Sequence, residues 1–118
     1  AVFSGAAAYA ATRTPTTTVY RSVSNAEAQD IKNTGQFNLA PGGMESKQFG
    51  FNLSETRQFG NMIGQNTIVS ARVPNSMLSQ LYTGGVDTSI FRAGTLTVYG
   101  DQLGAFNQAV SRTIKFMQ

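Results

Sequence analysis

The side chains able to do chemistry in this chain are few in kind. Its 118 residues include nine Lys and Arg and six Asp and Glu, with no His and no Cys. Without Cys there is no disulfide, thiolate nucleophile or Cys-ligated metal, and without His there is no Ser–His triad or imidazole base. Any catalysis must therefore use carboxylates, amides, hydroxyls, Lys, Arg, Tyr or backbone groups.

The charged residues form neither a metal-binding motif nor a basic run. The acids show no EF-hand spacing, so we expect no metal site; they are Glu27, Asp30, Glu45, Glu55, Asp87 and Asp101. The net charge of +3 is compatible with nucleic acid or another acidic partner. Because the basic residues are scattered along the chain, the charge pattern by itself favours an ordinary, mildly basic surface.

Two β-prone segments carry candidate side chains. Arg21 lies within Val19–Val23, where the flanking valines predict a strand with the guanidinium at a sheet surface facing a cleft. Phe49 and Phe51 lie in the alternating segment Lys47–Phe51 and share one face, because residues two apart in a strand point the same way. Such aromatic pairs most often belong to a core, but Gly50 between them permits close approach of a ligand or strand.

Capping patterns predict two helices that hold these strands. Ser24 and Glu27 form a capping-box pattern, and Gly35 is suited to the helix end. A second such pattern begins at Asn52 and ends at Gly64. In this second helix we expect one apolar face to pack inward, made by Phe59, Met62 and Ile63.

The remaining pattern predicts a single α+β domain rather than a regular strand–helix alternation. We expect strands over Thr67–Val73, Ser89–Phe91, Thr95–Tyr99 and Thr113–Met117, and short helices over Asn75–Tyr82 and Leu103–Val110. Residues 1–18, rich in Ala, Thr and Pro, are expected to be a linker from a larger carrier, and 19–118 the folded domain. No apolar stretch approaches the roughly 20 residues of a membrane helix.

Three blocks, in this order, resemble a known family: Val19–Ser22, Gly42–Phe49 and Val86–Val98. Over residues 19–110 the chain resembles the small ADP-ribosyltransferase-like toxin domains at the C-terminal ends of bacterial polymorphic toxins, such as Rhs-type effectors. The resemblance implies a split antiparallel β-sheet with short flanking helices and a central NAD cleft. It also implies a secreted effector domain that acts as a monomer in the cytoplasm of a target bacterium. A cognate immunity protein and a macromolecular acceptor, RNA, the ribosome or a protein, would be its partners.

The resemblance also assigns a site that uses NAD as substrate and needs no metal. Arg21 would bind the pyrophosphate or ribose with its planar fork, and aromatic side chains would border the nicotinamide. The residues carried over for NAD binding are Tyr20, Arg21, Ser22, Lys47, Phe49 and Phe51. Because nicotinamide departs as a neutral molecule, the absence of His is no obstacle to this chemistry.

The chain departs from the family at the acid that stabilises the oxocarbenium-like state. Many members carry a Glu-x-Glu or Gln-x-Glu pair at the start of the third strand, whereas here the matching stretch has no Glu and its only acid is Asp87. We expect either Asp87, by charge, or Gln102, by hydrogen bonding, to take that catalytic role beside Arg21. Two other classes remain open: a metal-independent RNase toxin using Arg21, Lys47 and Glu45, and a non-catalytic binding module.

Overall fold

A six-stranded antiparallel sheet organises the protein. The computed structural model describes residues 15–39 and 46–117. The strand order across the sheet is β4-β5-β2-β1-β3-β6. The strands are β1 (Thr16–Val23), β2 (Ser46–Gly50), β3 (Thr67–Pro74), β4 (Tyr82–Gly84), β5 (Thr95–Tyr99) and β6 (Lys115–Phe116). The predicted α+β class is therefore confirmed, with every paired strand antiparallel to its neighbour.

Four α-helices and two 3-10 turns flank the sheet in the described part of the chain. The helices are α1 (Asn25–Thr34), α2 (Leu53–Ile63), α3 (Asn75–Leu78) and α4 (Leu103–Val110), and the 3-10 turns are Gly100–Gln102 and Ser111–Thr113. Both predicted helix starts are confirmed, because Ser24 Oγ accepts the Glu27 N–H and Asn52 Oδ1 accepts the Glu55 N–H. Each of these two helices ends at a left-handed glycine, Gly35 or Gly64, as predicted.

The main core lies on one face of the sheet, under α1 and α4. Alternate residues of the central strands point into it, and the two helices cover them with one apolar edge each. The buried side chains of this core include Val19, Val23, Ile31, Phe37, Phe49, Val69, Leu96, Phe106 and Val110. Three of them form an aromatic cluster, with the Phe49 ring 5.1 Å from Phe37 and 5.3 Å from Phe106.

Helix α2 packs on the opposite face through small side chains. Its buried residues are Thr56 and Gly60, whereas Met62 is 65% exposed and Ile63 is 47% exposed. The expectation that Phe59, Met62 and Ile63 together form a packed face is therefore wrong for the last two. The helix lies so close to β1 that a Cβ on Gly60 would meet the Ser22 hydroxyl and the backbone carbonyl of Gln65.

The two halves of the sheet meet at a narrow join. β1 pairs with β3 over eight residues and β2 pairs with β5 over five, but β1 and β2 are in register only at Tyr20 and Gly50. Beyond that pair the two central strands diverge. Their free edges leave polar backbone groups, which another part of the molecule must satisfy.

The chain enters the sheet earlier than expected. Residues 1–14 lie outside the described residues, as does the Gly42–Glu45 part of the second family block. The composition predicts a linker for Thr16–Thr18. In the structure these residues are instead the first three paired positions of β1, opposite 72–74 of β3. Thr is β-branched and fits a strand, so composition was a poor guide at this boundary.

Two other predicted elements differ in the structure. The segment Ser89–Phe91 is a turn rather than a strand, held by hydrogen bonds from the Ile90 and Phe91 N–H groups to the Asp87 carbonyl. The helix expected over Asn75–Tyr82 ends at Leu78, and Tyr82 begins the edge strand β4. In both places, the short runs of mixed polar and apolar residues have no decisive period, so they fit several local structures equally well.

Candidate functional site

A cavity of about 410 Å³ opens beside the join between β1 and β2, on the α2 face of the sheet. Even-numbered residues of the two strands line its floor, and α2 and the loop between β4 and β5 supply its walls. Its lining includes Tyr20, Arg21, Ser22, Gln48, Phe59, Asp87, Phe91 and Thr95. It therefore gathers four residues that the sequence predicted for the site: Tyr20, Arg21, Ser22 and Asp87, with Phe49 at its edge.

Arg21 is one of the residues that line this cavity, and its guanidinium is bound by the carboxylate of Glu27 on α1. Its Nε donates to Glu27 Oε2 at 2.7 Å and its NH2 donates to Oε1 at 2.9 Å, a bidentate pair. Its NH1 donates to the Gln48 carbonyl at 3.0 Å, which satisfies a group left unpaired where the strands diverge. The expected fork toward a ligand is therefore occupied by the protein itself, because Nε, NH1 and NH2 each already donate to Glu27 or to the Gln48 carbonyl.

Lys47 completes this charged cluster beneath the join. Its Nζ lies 3.3 Å from Glu27 Oε2, and the residue is only 6% exposed. Lys47 does not line the cavity, and its ammonium group lies beside Glu27 of α1 instead. The sequence assignment of Lys47 to NAD phosphates is therefore not supported by its position, and Gln48 takes its place at the cavity.

The three charges adjust one another's ionisation. Burial by itself raises the pKa of Glu27, but the hydrogen bonds and charge of Arg21, together with the charge of Lys47, outweigh it. The pKa of Glu27 therefore lies below its ordinary value. Burial and the nearby Arg21 charge lower the pKa of Lys47, and the attraction of Glu27 offsets only part of that effect. One carboxylate thus holds two cations at the junction of the sheet.

The aromatic wall of the cavity is made by other residues than predicted. The Phe49 ring belongs to the core cluster and the residue is 2% exposed, while Phe51 lies outside the cavity lining. In their place Phe59 of α2 and Phe91 of the β4–β5 loop line the cavity, with ring centroids 5.3 Å apart. A tilted aromatic pair of this kind offers a face on which a planar ring can stack.

Gly50 makes this wall possible. A Cβ at that position would lie 2.6 Å from Thr56 Oγ1 and 2.9 Å from the Phe91 ring. The close approach that the sequence predicts at Gly50 is therefore made by the side chains of Phe91 and Thr56 rather than by a second strand. Because only a glycine fits there, the Phe91 ring can lie directly against the floor of the cavity.

Asp87 is placed at the cavity by a turn, not by the start of a strand. Its backbone adopts the left-handed conformation with φ 49°, which Asp tolerates better than most side chains, and its carbonyl anchors the turn that carries Phe91. Its side chain is exposed, lines the cavity, and makes no hydrogen bond or ion pair with any described residue. An unpaired carboxylate in such a position is available to a bound ligand.

Gln102 stabilises a 3-10 turn and does not line the cavity. Its Oε1 accepts the Tyr99 N–H at 3.1 Å, which caps the 3-10 turn after β5. It borders a separate surface depression beside Leu39, Gly100 and Asp101. The structure therefore does not bring the second candidate acid substitute to the cavity that holds Arg21 and Asp87.

Three contributors to the site were not predicted from the sequence. The sequence indicates Glu27 only as part of a helix cap, whereas its side chain binds Arg21 and Lys47. Phe59 was assigned to a packed helix face and Phe91 to a strand. Phe59 stands one helical turn from the small buried residue Thr56, and this spacing is the signal in the sequence that its ring lies on the sheet-facing side of α2.

Comparison with known proteins adds no relative. No family model, curated protein or solved structure matches this chain significantly. Among the described residues no cluster of three or more potential metal ligands occurs. In the same part of the chain, no helix has both the length and the apolar composition to cross a membrane.

Proposed function

We propose that the cavity binds NAD and that the domain transfers ADP-ribose from it, in an ADP-ribosyltransferase-like fold. The observation that supports this most is the convergence of four kinds of group at the join between β1 and β2. These are the cationic residue Arg21, the hydroxyl-bearing residues Tyr20 and Ser22, the Phe59–Phe91 aromatic pair, and the unpaired Asp87 carboxylate. This is the set of groups that cleavage of a nicotinamide glycoside requires.

The reaction is balanced without a metal or an imidazole. The bond between the ribose C1′ and the nicotinamide nitrogen breaks, and its electron pair neutralises the positive ring, so nicotinamide leaves uncharged. The positive charge that develops on the ribose is stabilised by the Asp87 carboxylate. A nucleophilic atom of the acceptor then forms the new bond to C1′ and releases its proton to solvent.

Each residue has a definite part in this proposal. The Phe59–Phe91 pair stacks the nicotinamide ring, and the free N–H groups of Arg21 bind a ribose or phosphate oxygen. Glu27, which also binds Lys47, holds the Arg21 guanidinium in place from the α1 side. Positioning of this kind contributes strongly to rate, because the reacting groups are already oriented when NAD binds.

The biological setting follows from the family resemblance. We propose that the domain is the toxin part of a secreted bacterial effector, that it acts in the cytoplasm of a target cell, and that an immunity protein neutralises it in the producer. Blocking an essential process such as translation is the expected consequence. Exposed Met62 and Ile63 beside the cavity provide apolar surface of the sort that protein partners cover.

The first prediction tests the proposed role of Asp87. Asp87→Asn keeps the shape of the side chain but removes its charge, so kcat for nicotinamide release from NAD should fall by about 10²-fold or more with KM nearly unchanged. Steady-state NAD hydrolysis by the purified domain measures both constants. Asp101→Asn is the matched control, because it removes an exposed acid that does not line the cavity.

Gln102→Ala separates the two candidate residues in the same assay. It should retain kcat while weakening the fold slightly, since it removes the cap on the Tyr99 N–H. If Asp87→Asn is fully active, or if the wild-type domain releases no nicotinamide and labels nothing in a bacterial lysate supplied with labelled NAD, the proposal is wrong. Degradation of RNA without NAD would instead favour the RNase class.

A further inference from the structure

Folding gathers cations that are scattered in the sequence. Lys32, Arg72, Arg112 and Lys115 come from four different elements, yet all lie around the short edge strand β6. Lys32 Nζ of α1 stands 5.0 Å from the centre of the Phe116 ring. The Arg72 backbone N–H donates to Thr113 Oγ1, next to Arg112, and Lys115 pairs with Ser70, two residues from Arg72. We call these four residues the basic edge.

Two residues of the basic edge, Lys115 and Arg72, share a sheet face with the cavity, whereas Lys32 belongs to α1 on the other face. Lys115 is opposite Ser70 and Ser70 is opposite Tyr20, and directly paired residues of neighbouring strands lie on the same face. Arg72 lies on that face too, two residues along β3. Because neighbouring strands are about 4.8 Å apart, Lys115 is only about 10 Å across the sheet from Tyr20, which lines the cavity.

The positive charge of this edge is not neutralised within the described residues. All four residues are exposed, and none of them forms an ion pair with a described carboxylate. The nearest acid along α1, Asp30, accepts a hydrogen bond from the Asn38 amide. Glu27 is committed to Arg21 and Lys47. The edge therefore attracts a polyanion more strongly than the small net charge of the chain suggests.

The absence of an apolar centre favours nucleic acid over protein as the occupant. Stable protein interfaces bury a core of aromatic and aliphatic side chains. Among the described residues the large exposed apolar side chains lie elsewhere: Met62, Ile63, Tyr82 and Tyr99. A phosphate backbone needs no apolar centre, because its contacts are made one cation at a time.

We propose that the basic edge binds the phosphate backbone of RNA and leads the strand across the sheet to the cavity. The RNA would then be the acceptor, in the sense that one of its nucleophilic atoms forms the new bond to the ribose C1′ of ADP-ribose. This acceptor assignment rests on the proposed transferase function, whereas RNA binding by the edge does not. Half-buried Tyr20, between the edge and the cavity, offers a ring for base stacking.

The test measures RNA binding and NAD hydrolysis on the same proteins. Fluorescence anisotropy with a labelled single-stranded RNA oligonucleotide, at several salt concentrations, should give a steep salt dependence for the wild-type domain. Arg72→Gln, Arg112→Gln and Lys115→Gln should each reduce the slope of log K against log salt by about 0.7. Arg92→Gln is the matched control, since Arg92 is exposed in the β4–β5 loop, away from β6.

The triple variant of the basic edge distinguishes this inference from the proposed function. It should bind RNA at least about tenfold more weakly, lose labelling of RNA from NAD, and keep wild-type NAD hydrolysis without RNA. If it binds RNA like the wild type, or if polyglutamate of equal charge displaces RNA equally well, the inference is wrong. If the wild type binds RNA through this edge but never hydrolyses NAD, the edge stands and the transferase proposal fails.

Discussion

At the scale of single residues, Glu27 shows how one position can serve two purposes. Its backbone N–H completes the cap on α1 at Ser24, which the sequence pattern indicates directly. Its carboxylate turns away from the cap and binds Arg21 and Lys47 on two different strands. No local pattern predicts that second role, because the partners are brought together only when β1 and β2 meet.

The ionisation of Glu27 gives a prediction about pH. Its pKa in the folded protein lies below the ordinary value of 4.5, so folding favours the carboxylate. The resulting stability is fully present above pH 4.5 and is lost as the pH falls through the lower, folded-state pKa. Glu27→Gln should lower the free energy of unfolding at pH 7 by about 2 kcal/mol, because it leaves two cations close together without a counter-charge.

Urea unfolding of both proteins between pH 7 and pH 3 measures this effect. The difference in unfolding free energy between wild type and Glu27→Gln should be constant down to about pH 4.5 and should shrink below it. A difference that stays the same to pH 3 would show that Glu27 contributes no more than its shape and neutral hydrogen bonds.

At the scale of elements, α2 is the piece whose packing the sequence predicts least well. Its start and end are given by Asn52 and Gly64, and both are where the pattern indicates. The sequence does not predict which side of the helix is packed, because the helix approaches β1 through Gly60 and Thr56 instead of through its large apolar residues. Close approach to a polar sheet face near Ser22 leaves Met62 and Ile63 outside. A periodic apolar pattern therefore marks a helix here without marking its buried face.

Glycine substitutions in two helices test this packing. Gly60→Ala should lower the free energy of unfolding by about 1–3 kcal/mol, since its Cβ would press on the Gln65 carbonyl and the Ser22 hydroxyl. Gly104→Ala in α4 is the matched control, because nothing lies within 4 Å of a Cβ there. It should raise the free energy of unfolding by about 0.5–1 kcal/mol. Equal effects in a thermal or urea melt would contradict the packing of α2.

At the scale of the whole molecule, the sequence predicts the class of fold and most strand positions, but not how the halves of the sheet join. Arg21, Tyr20 and Ser22 are found at the cavity because a β-prone run and a family motif coincide on β1. The sequence predicts the wrong surroundings for Phe91 and Lys47, because these depend on strand register and on a turn between distant segments. The basic edge is also invisible in sequence, because four separate elements must pack before its cations become neighbours.

The start of the folded unit gives the last prediction, which compares two shortened chains. One begins at Pro15 and the other at Val19, so residues 1–14 are removed from both. Only the longer one keeps Thr16–Thr18, which pair with 72–74 of β3. It also keeps the hydrogen bonds from the Asn75 N–H to the Pro15 carbonyl and from Thr17 Oγ1 to Asn75 Oδ1.

Removing this stretch uncovers Val73, which is fully buried, and leaves one edge of β3 unpaired at the start of α3. A few lost hydrogen bonds, each worth roughly 0.5–1.5 kcal/mol, should together lower the free energy of unfolding by about 2 kcal/mol or more. The urea midpoint of the chain that begins at Val19 should therefore be clearly lower, with a similar slope. Equal midpoints would show that the folded domain begins at Val19, because the pairing of Thr16–Thr18 would then add no stability.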